Sequence, residues 1–174
     1  AKQFLTDLQA AGKIIVFVAT KKVAADFVKK ICQDNHLAYI TTKWPAGFLT
    51  NFEVIKKNIK KMNTMQQEKE QGEWNKFVKH EQIKMGKELN RLEKFYGGVS
   101  TLEKIPDALF VIDIKKEKNA INEAKKMQLP IVALSDTNAN PGTVDYPIVG
   151  NDDSLSSIEY IINDIISACQ KGEK

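Results

Sequence analysis

The sequence predicts a three-layer α/β/α domain on a parallel sheet, with an antiparallel two-helix coiled-coil hairpin inserted in it. Three observations predict this. β-rich apolar runs at residues 14–18, 108–113 and 131–134 alternate with amphipathic helical segments, the pattern of strands joined by helical crossovers. Those runs are continuous rather than alternating, as strands buried on both faces are. Finally, 46 residues, 51–96, interrupt the alternation with charged, helix-period chain that is nearly free of glycine.

Residues 4–11 read as the end of a helix stopped by Gly12, ahead of a central strand at 14–18. Thr20 is placed to cap a helix running to Cys32, with Val23, Ala24, Phe27, Val28 and Ile31 on its inner face. A short strand at 38–41 leads into a loop, 43–51, whose Pro45 and Gly47 suit turns and whose Thr50 or Asn51 can cap the next helix. Beyond the insert, Gly97-Gly98 ends its second arm and Pro106-Asp107 opens the strand at 108–113. A helix at 118–127, a strand at 131–134, an Asn140-Pro141-Gly142 turn, a short edge strand at 146–149 and a last helix capped by Asp152 or Asp153 complete the body. Right-handed crossovers are expected throughout.

Within the insert, Phe52, Ile55, Ile59 and Met62 form a seam spaced three, four, three, and Val78, Met85, Leu89, Leu92 and Tyr96 form a second. A seam that narrow buries itself only against another, so two arms fold back on each other at Gln71-Gly72-Glu73. Arms of about 20 residues reach roughly 30 Å and so project from a small body. The expected organisation is a globular body of residues 1–50 and 97–174 carrying a protruding hairpin of residues 51–96.

The 174 residues suffice for one sizeable core. With 43% apolar residues and no apolar run of about 18, the chain reads as soluble and without a membrane span. Cys32 and Cys169 sit on apolar helix faces and read as buried small hydrophobes in a reducing compartment, by default the cytoplasm. The start lacks an initiator Met and reads as mid-helix, which suggests that the natural protein begins upstream.

The formal excess of +4 falls entirely on the hairpin, which holds eleven Lys and Arg against seven acids, while the remainder carries fifteen of each. A basic arm on a neutral body points to a polyanion, most often nucleic acid. Charge alone favours the plainer reading, that mixed Lys and Glu solubilise an exposed coiled coil. Lys56 and Lys60, like Lys57 and Lys61, lie one helical turn apart, and these rows join Lys21 and Lys22 after the first strand and Lys43 in the loop. Trp44 in that loop either stacks on a base or wedges the hairpin root against the sheet, and the wedge is favoured.

Catalytic chemistry finds little support. The stretch after Val18 has neither the glycines nor the Gly-Lys-Ser/Thr of a phosphate cradle. Asp113 and Asp136 end two strands, where carboxylates more often cap loops than hold Mg²⁺ or accept a phosphoryl group. His36 and His80 lack a second ligand at metal spacing, Ser135 lacks a nucleophile elbow, and neither cysteine has a context that lowers its pKa.

The segment Lys43-Trp44-Pro45-Ala46-Gly47-Phe48-Leu49-Thr50-Asn51-Phe52 resembles the Arg-Trp-Leu-Gly-Gly-x-Leu-Thr-Asn-Phe motif of the small-subunit ribosomal protein two family. Residues 16–22, 106–113, 136–138, 144–146 and 150–153 are similar to further family motifs, so the resemblance covers essentially the whole chain. It implies an α/β/α domain with a coiled-coil hairpin, a structural and non-catalytic role in the small ribosomal subunit, and contacts with ribosomal RNA and neighbouring ribosomal proteins. It implies no cofactor, metal, small-molecule substrate or membrane. The residues expected to meet RNA are Lys21, Lys22, Lys43, Trp44, Thr50, Asn51, Lys56, Lys57, Lys60 and Lys61. Pro45 and Ala46 replace the family's Leu and first Gly, and Lys43 replaces its Arg, so a bidentate phosphate contact there becomes a single-point one. The family's N-terminal region lies upstream of Ala1, which implies a sheet one strand short. The competing reading is an α/β nucleotide-binding or sensor domain with a coiled-coil dimerisation arm.

Overall fold

A computed structural model of the chain describes residues 1–137 and 139–171, and for 169–171 the backbone alone. The elements run α1 (Lys2–Ala10), β1 (Ile15–Val18), α2 (Lys22–Asp34), β2 (Ala38–Ile40), α3 (Phe52–Glu70), α4 (Lys79–Tyr96), β3 (Ala108–Ile112), α5 (Lys118–Lys126), β4 (Ile131–Ser135), β5 (Tyr146–Val149) and α6 (Leu155–Lys171). All five strands are parallel, in the order β2-β1-β3-β4-β5.

Strand side chains alternate between the faces, and each face has its own core. Val16, Val18, Leu109, Val111, Ile131 and Ala133 pack with Phe52, Ile55 and Ile59 of α3 and Ala120, Ile121 and Ala124 of α5. Ile15, Phe17, Phe110, Ile112, Val132 and Leu134 pack beneath Leu5 of α1, Val28 and Cys32 of α2, and Ile158 and Ile162 of α6. This is the expected three-layer α/β/α architecture. The chain moves one way across the sheet through α2 and the other way through α5 on the opposite face, so both crossovers keep one hand. Cys32 is buried, and burial pushes its thiol up to about 12; the side chain of Cys169 lies outside the described residues.

Four expectations need correction. Thr20 does not cap α2: Lys21 takes that position without a side-chain bond, because Thr20 donates its backbone N–H (2.9 Å) and its hydroxyl to Glu117 Oε1. Val23 is 42% exposed and leaves the inner face of α2. Neither Asp152 nor Asp153 caps α6, since both carboxylates turn to Lys21 while Asn151 Oδ1 accepts from the backbone N–H groups of Asp153 and Ser154. The connection between the hairpin arms is also longer than three residues. Gly72, at φ +74°, opens a 3₁₀ turn over Glu73–Lys76 that buries Trp74, so α4 begins only at Lys79 and Val78 is left 66% exposed.

α3 and α4 lie antiparallel, with Lys61 bonded to Glu88 (2.9 Å) and Asn58 to the Tyr96 hydroxyl (3.3 Å). The first seam is not all hairpin, however. Phe52, Ile55 and Ile59 belong to the body's core, whereas Met62 joins Trp74, Leu89 and Leu92 in a separate cluster backed by Met65 and Met85. Leu89 is 1% exposed. Leu89→Ala should therefore cost about 2–4 kcal/mol, read by denaturant melts; a loss below about 0.5 kcal/mol would mean that the cluster contributes no stability. At the root the chain turns hard against the sheet edge: a Cβ on Gly98 would sit 2.3 Å from the Tyr39 carbonyl oxygen.

Candidate nucleic-acid interface

The loop before α3 is shaped by one carboxylate. Glu123 on α5 accepts from the Trp44 indole N–H (3.0 Å) and the Gly47 backbone (2.9 Å) on one oxygen and from the Leu49 backbone (3.0 Å) on the other. Burial works to raise its pKa, but these donors more than offset that and hold it below the usual glutamate range. Trp44 is 6% exposed and packs edge-on to Phe48, whose ring meets Phe52. It is thus the wedge, with its ring in the core. Glu123 has no local sequence signal, since its partners lie more than 70 residues away.

The ten residues expected at the interface fall into three groups. Lys21 is drawn inward, only 16% exposed, and pairs with Asp152 (2.7 Å), Asp113 (3.2 Å) and Asp153. Burial opposes its charge, yet the three carboxylates raise its pKa above the ordinary lysine value. Its charge is fully committed inside the fold, and with Trp44 it offers nothing to a phosphate. Lys61 is half committed: Glu88 accepts from it and from Arg91, and those two cations hold the Glu88 carboxyl down at about 2.

Lys22, Lys43, Lys57 and Lys60 are exposed and Lys56 is half-buried, and among the described residues none of the five pairs with a carboxylate. Thr50 and Asn51 are exposed beside them, Asn51 preceding α3 without a side-chain capping bond. The structure brings Lys56, Lys57 and Lys60 together on the first turns of α3, next to the loop that carries Lys43. These cations share one region and have charge to spare.

At the carboxyl edge of the sheet, Asp113 adopts φ +71° and its Oδ1 accepts from the backbone N–H groups of Lys115 and Lys116 (3.0 Å each). Asp136 accepts from the backbone and hydroxyl of Thr137. Both carboxylates therefore shape turns, as their type at strand ends suggests. The backbone N–H of Thr20, at the crevice between β1 and β3 where a sheet of this topology binds phosphate, is bonded to buried Glu117. A phosphate there would meet carboxylates, which argues against the nucleotide-binding reading. Among the described residues no helix is long and apolar enough to cross a membrane.

The chain is similar to known proteins over nearly its whole length. The chain is 39% identical over 168 residues to small ribosomal subunit protein uS2 of Helicobacter acinonychis, covering 97% of the chain and 68% of that protein. It is 40% identical over 172 residues to uS2 of Sorangium cellulosum, covering 99% of the chain and 62% of the relative. With uS2 of Helicobacter pylori strain Shi470 it shares 39% over 168 residues, 97% of the chain and 64% of the relative. The chain thus spans roughly two thirds of the length of these relatives. The family described as ribosomal protein S2 matches residues 1–172, and the chain belongs to that family.

Proposed function

We propose that the chain is a structural constituent of the small ribosomal subunit, where it binds ribosomal RNA and neighbouring ribosomal proteins during translation in the cytoplasm. Family membership supports the setting. One observation carries the RNA contact: Lys56, Lys57 and Lys60 stand together without carboxylate partners among the described residues, beside exposed Lys43. Such a row neutralises phosphates and releases the counterions condensed on the RNA, and the affinity gained this way is independent of sequence. Residues 1–50 and 97–174 act as the docking body and residues 51–96 as an arm, with RNA held where the arm leaves the body. Thr50 and Asn51 precede the row at the start of α3, whereas Lys22 opens α2, which packs on the other face of the sheet. Lys69, over the Trp74 ring at 5.9 Å, and Lys76, 3.9 Å from Glu73, have neighbours of their own nearer the tip. The role is architectural and involves no catalysis or cofactor.

Salt dependence tests this. The chain should co-sediment with small subunits, and replacing Lys56 and Lys60 together by Gln should lower the slope of log affinity against log salt by roughly one to two units, since each neutralised phosphate contributes a little under one. The same change at Lys69 and Lys76 should do much less. A larger loss of slope from the tip pair would mean that the arm binds RNA by its end.

A further inference from the structure

A groove runs between the loop at residues 43–46 and the last turns of α4. Leu92, 3% exposed, closes it below, and the half-buried rings of Phe95 and Tyr96, with centroids 6.4 Å apart, line it. Tyr96 has structural duties: it packs on both the body core and the hairpin cluster and accepts a hydrogen bond from Asn58. Phe95 packs on none of the apolar clusters of the described residues. A half-buried aromatic ring that belongs to no core cluster among the described residues, set in a concave surface, offers a face for stacking.

The polar lining is suited to one kind of guest. Lys43 and Arg91 are exposed along the groove, and Asn58 and Asn119 bring amide groups into it. Arg91 is held in place by Glu88 through two bonds of 2.9 and 3.0 Å. That carboxylate also serves Lys61, so two cations share one negative charge and the site keeps a positive excess. Cations for phosphates, amides for base edges and a ring for a base face are the elements of a single-stranded RNA site.

We propose that this groove takes one unstacked base of single-stranded RNA. The base stacks on Phe95, its edge meets the Asn58 and Asn119 amides, and its flanking phosphates meet Lys43 and Arg91. The inference rests on the RNA-binding reading above and adds a preference for unpaired RNA that the lysine row alone does not give.

Fluorescence anisotropy with the purified chain tests it, using labelled oligouridylate and a fully paired RNA of equal length. The single strand should bind more tightly than the duplex. Phe95→Ala should weaken single-strand binding by on the order of five- to a hundredfold, leave duplex binding unchanged and leave the thermal midpoint in place, while Phe95→Tyr restores the affinity. Unchanged oligouridylate binding by a folded Phe95→Ala chain, an equal loss on duplex, or stronger binding of oligoglutamate than of oligouridylate would overturn the site while leaving the lysine row intact. A wild-type chain that binds neither RNA would overturn the RNA-binding reading itself.

Discussion

Glu123→Ala should destabilise the protein by about 2–4 kcal/mol, because it strands donors that the fold has already buried. The Trp44 indole N–H and the backbone N–H groups of Gly47 and Leu49 all point at this carboxylate, and Trp44 and Leu49 are 6% and 1% exposed, so water cannot easily replace it. Bonds to a charged acceptor are the strong kind, and losing the acceptor costs more than the bonds were worth in exchange with water. Glu123→Gln, which keeps one carbonyl oxygen, should fall between. The pH dependence follows from the direction of the shift. The folded carboxyl titrates below its unfolded value of about 4.3, so its stabilisation is complete above that value and is lost as the pH falls through the folded pKa. Denaturant melts from pH 7 down to pH 3 should show a steeper acid decline in the wild type than in Glu123→Gln. Parallel curves would show that the loop is held by its apolar contacts alone.

Trp74 should give the other large effect, and its size should depend sharply on the replacement. It is 7% exposed in the turn between α3 and α4, packed with Met62, Leu89 and Leu92, so Trp74→Ala should cost about 3–5 kcal/mol. Its indole nitrogen is buried without a hydrogen-bond partner among the described residues. An unsatisfied buried donor costs about 1–3 kcal/mol, so Trp74→Phe, which deletes the donor and keeps a ring, should recover most of the stability and come within about 1 kcal/mol of wild type. The cluster is separate from the body cores, so hydrogen exchange in Trp74→Ala should quicken along α4 while the protons of β3 and β4 stay protected. A Phe variant as unstable as the Ala variant would mean that the nitrogen has a partner after all.

The sheet was legible because its strands are apolar on both faces, and that property is written in consecutive residues. The inner strands β1, β3 and β4 fall where runs of Val, Ile, Leu and Phe put them. The seam of α3 was legible too, but its use was not: periodicity shows that Phe52, Ile55, Ile59 and Met62 share a face, and says nothing of whether that face meets a sheet or another helix. Trp74 is not legible as core because it lies in a 3₁₀ turn, where no period marks burial. The carboxylates were hardest to read. Lys21 looked like a free cation because Asp152 and Asp153, which neutralise it, stand more than 130 residues away; Thr20 looked like a cap because Glu117 was not visible as its rival acceptor. Local capping rules weigh only neighbours in sequence, and at the carboxyl edge of a parallel sheet the neighbours in space come from the ends of several strands.

α3 belongs to two clusters at once, and its 19 residues contain neither proline nor glycine. Sharp kinks need one of those residues or a bulge, so the arm has no pivot where it leaves the sheet and behaves as a lever cast in one piece with its base. Positioning either end fixes the orientation of the other. A particle that assembles from many components loses rotational freedom each time a loose part is added, and a part without an internal joint pays that cost once for both of its ends. The direction in which the tip points would then be inherited from the first surface to dock.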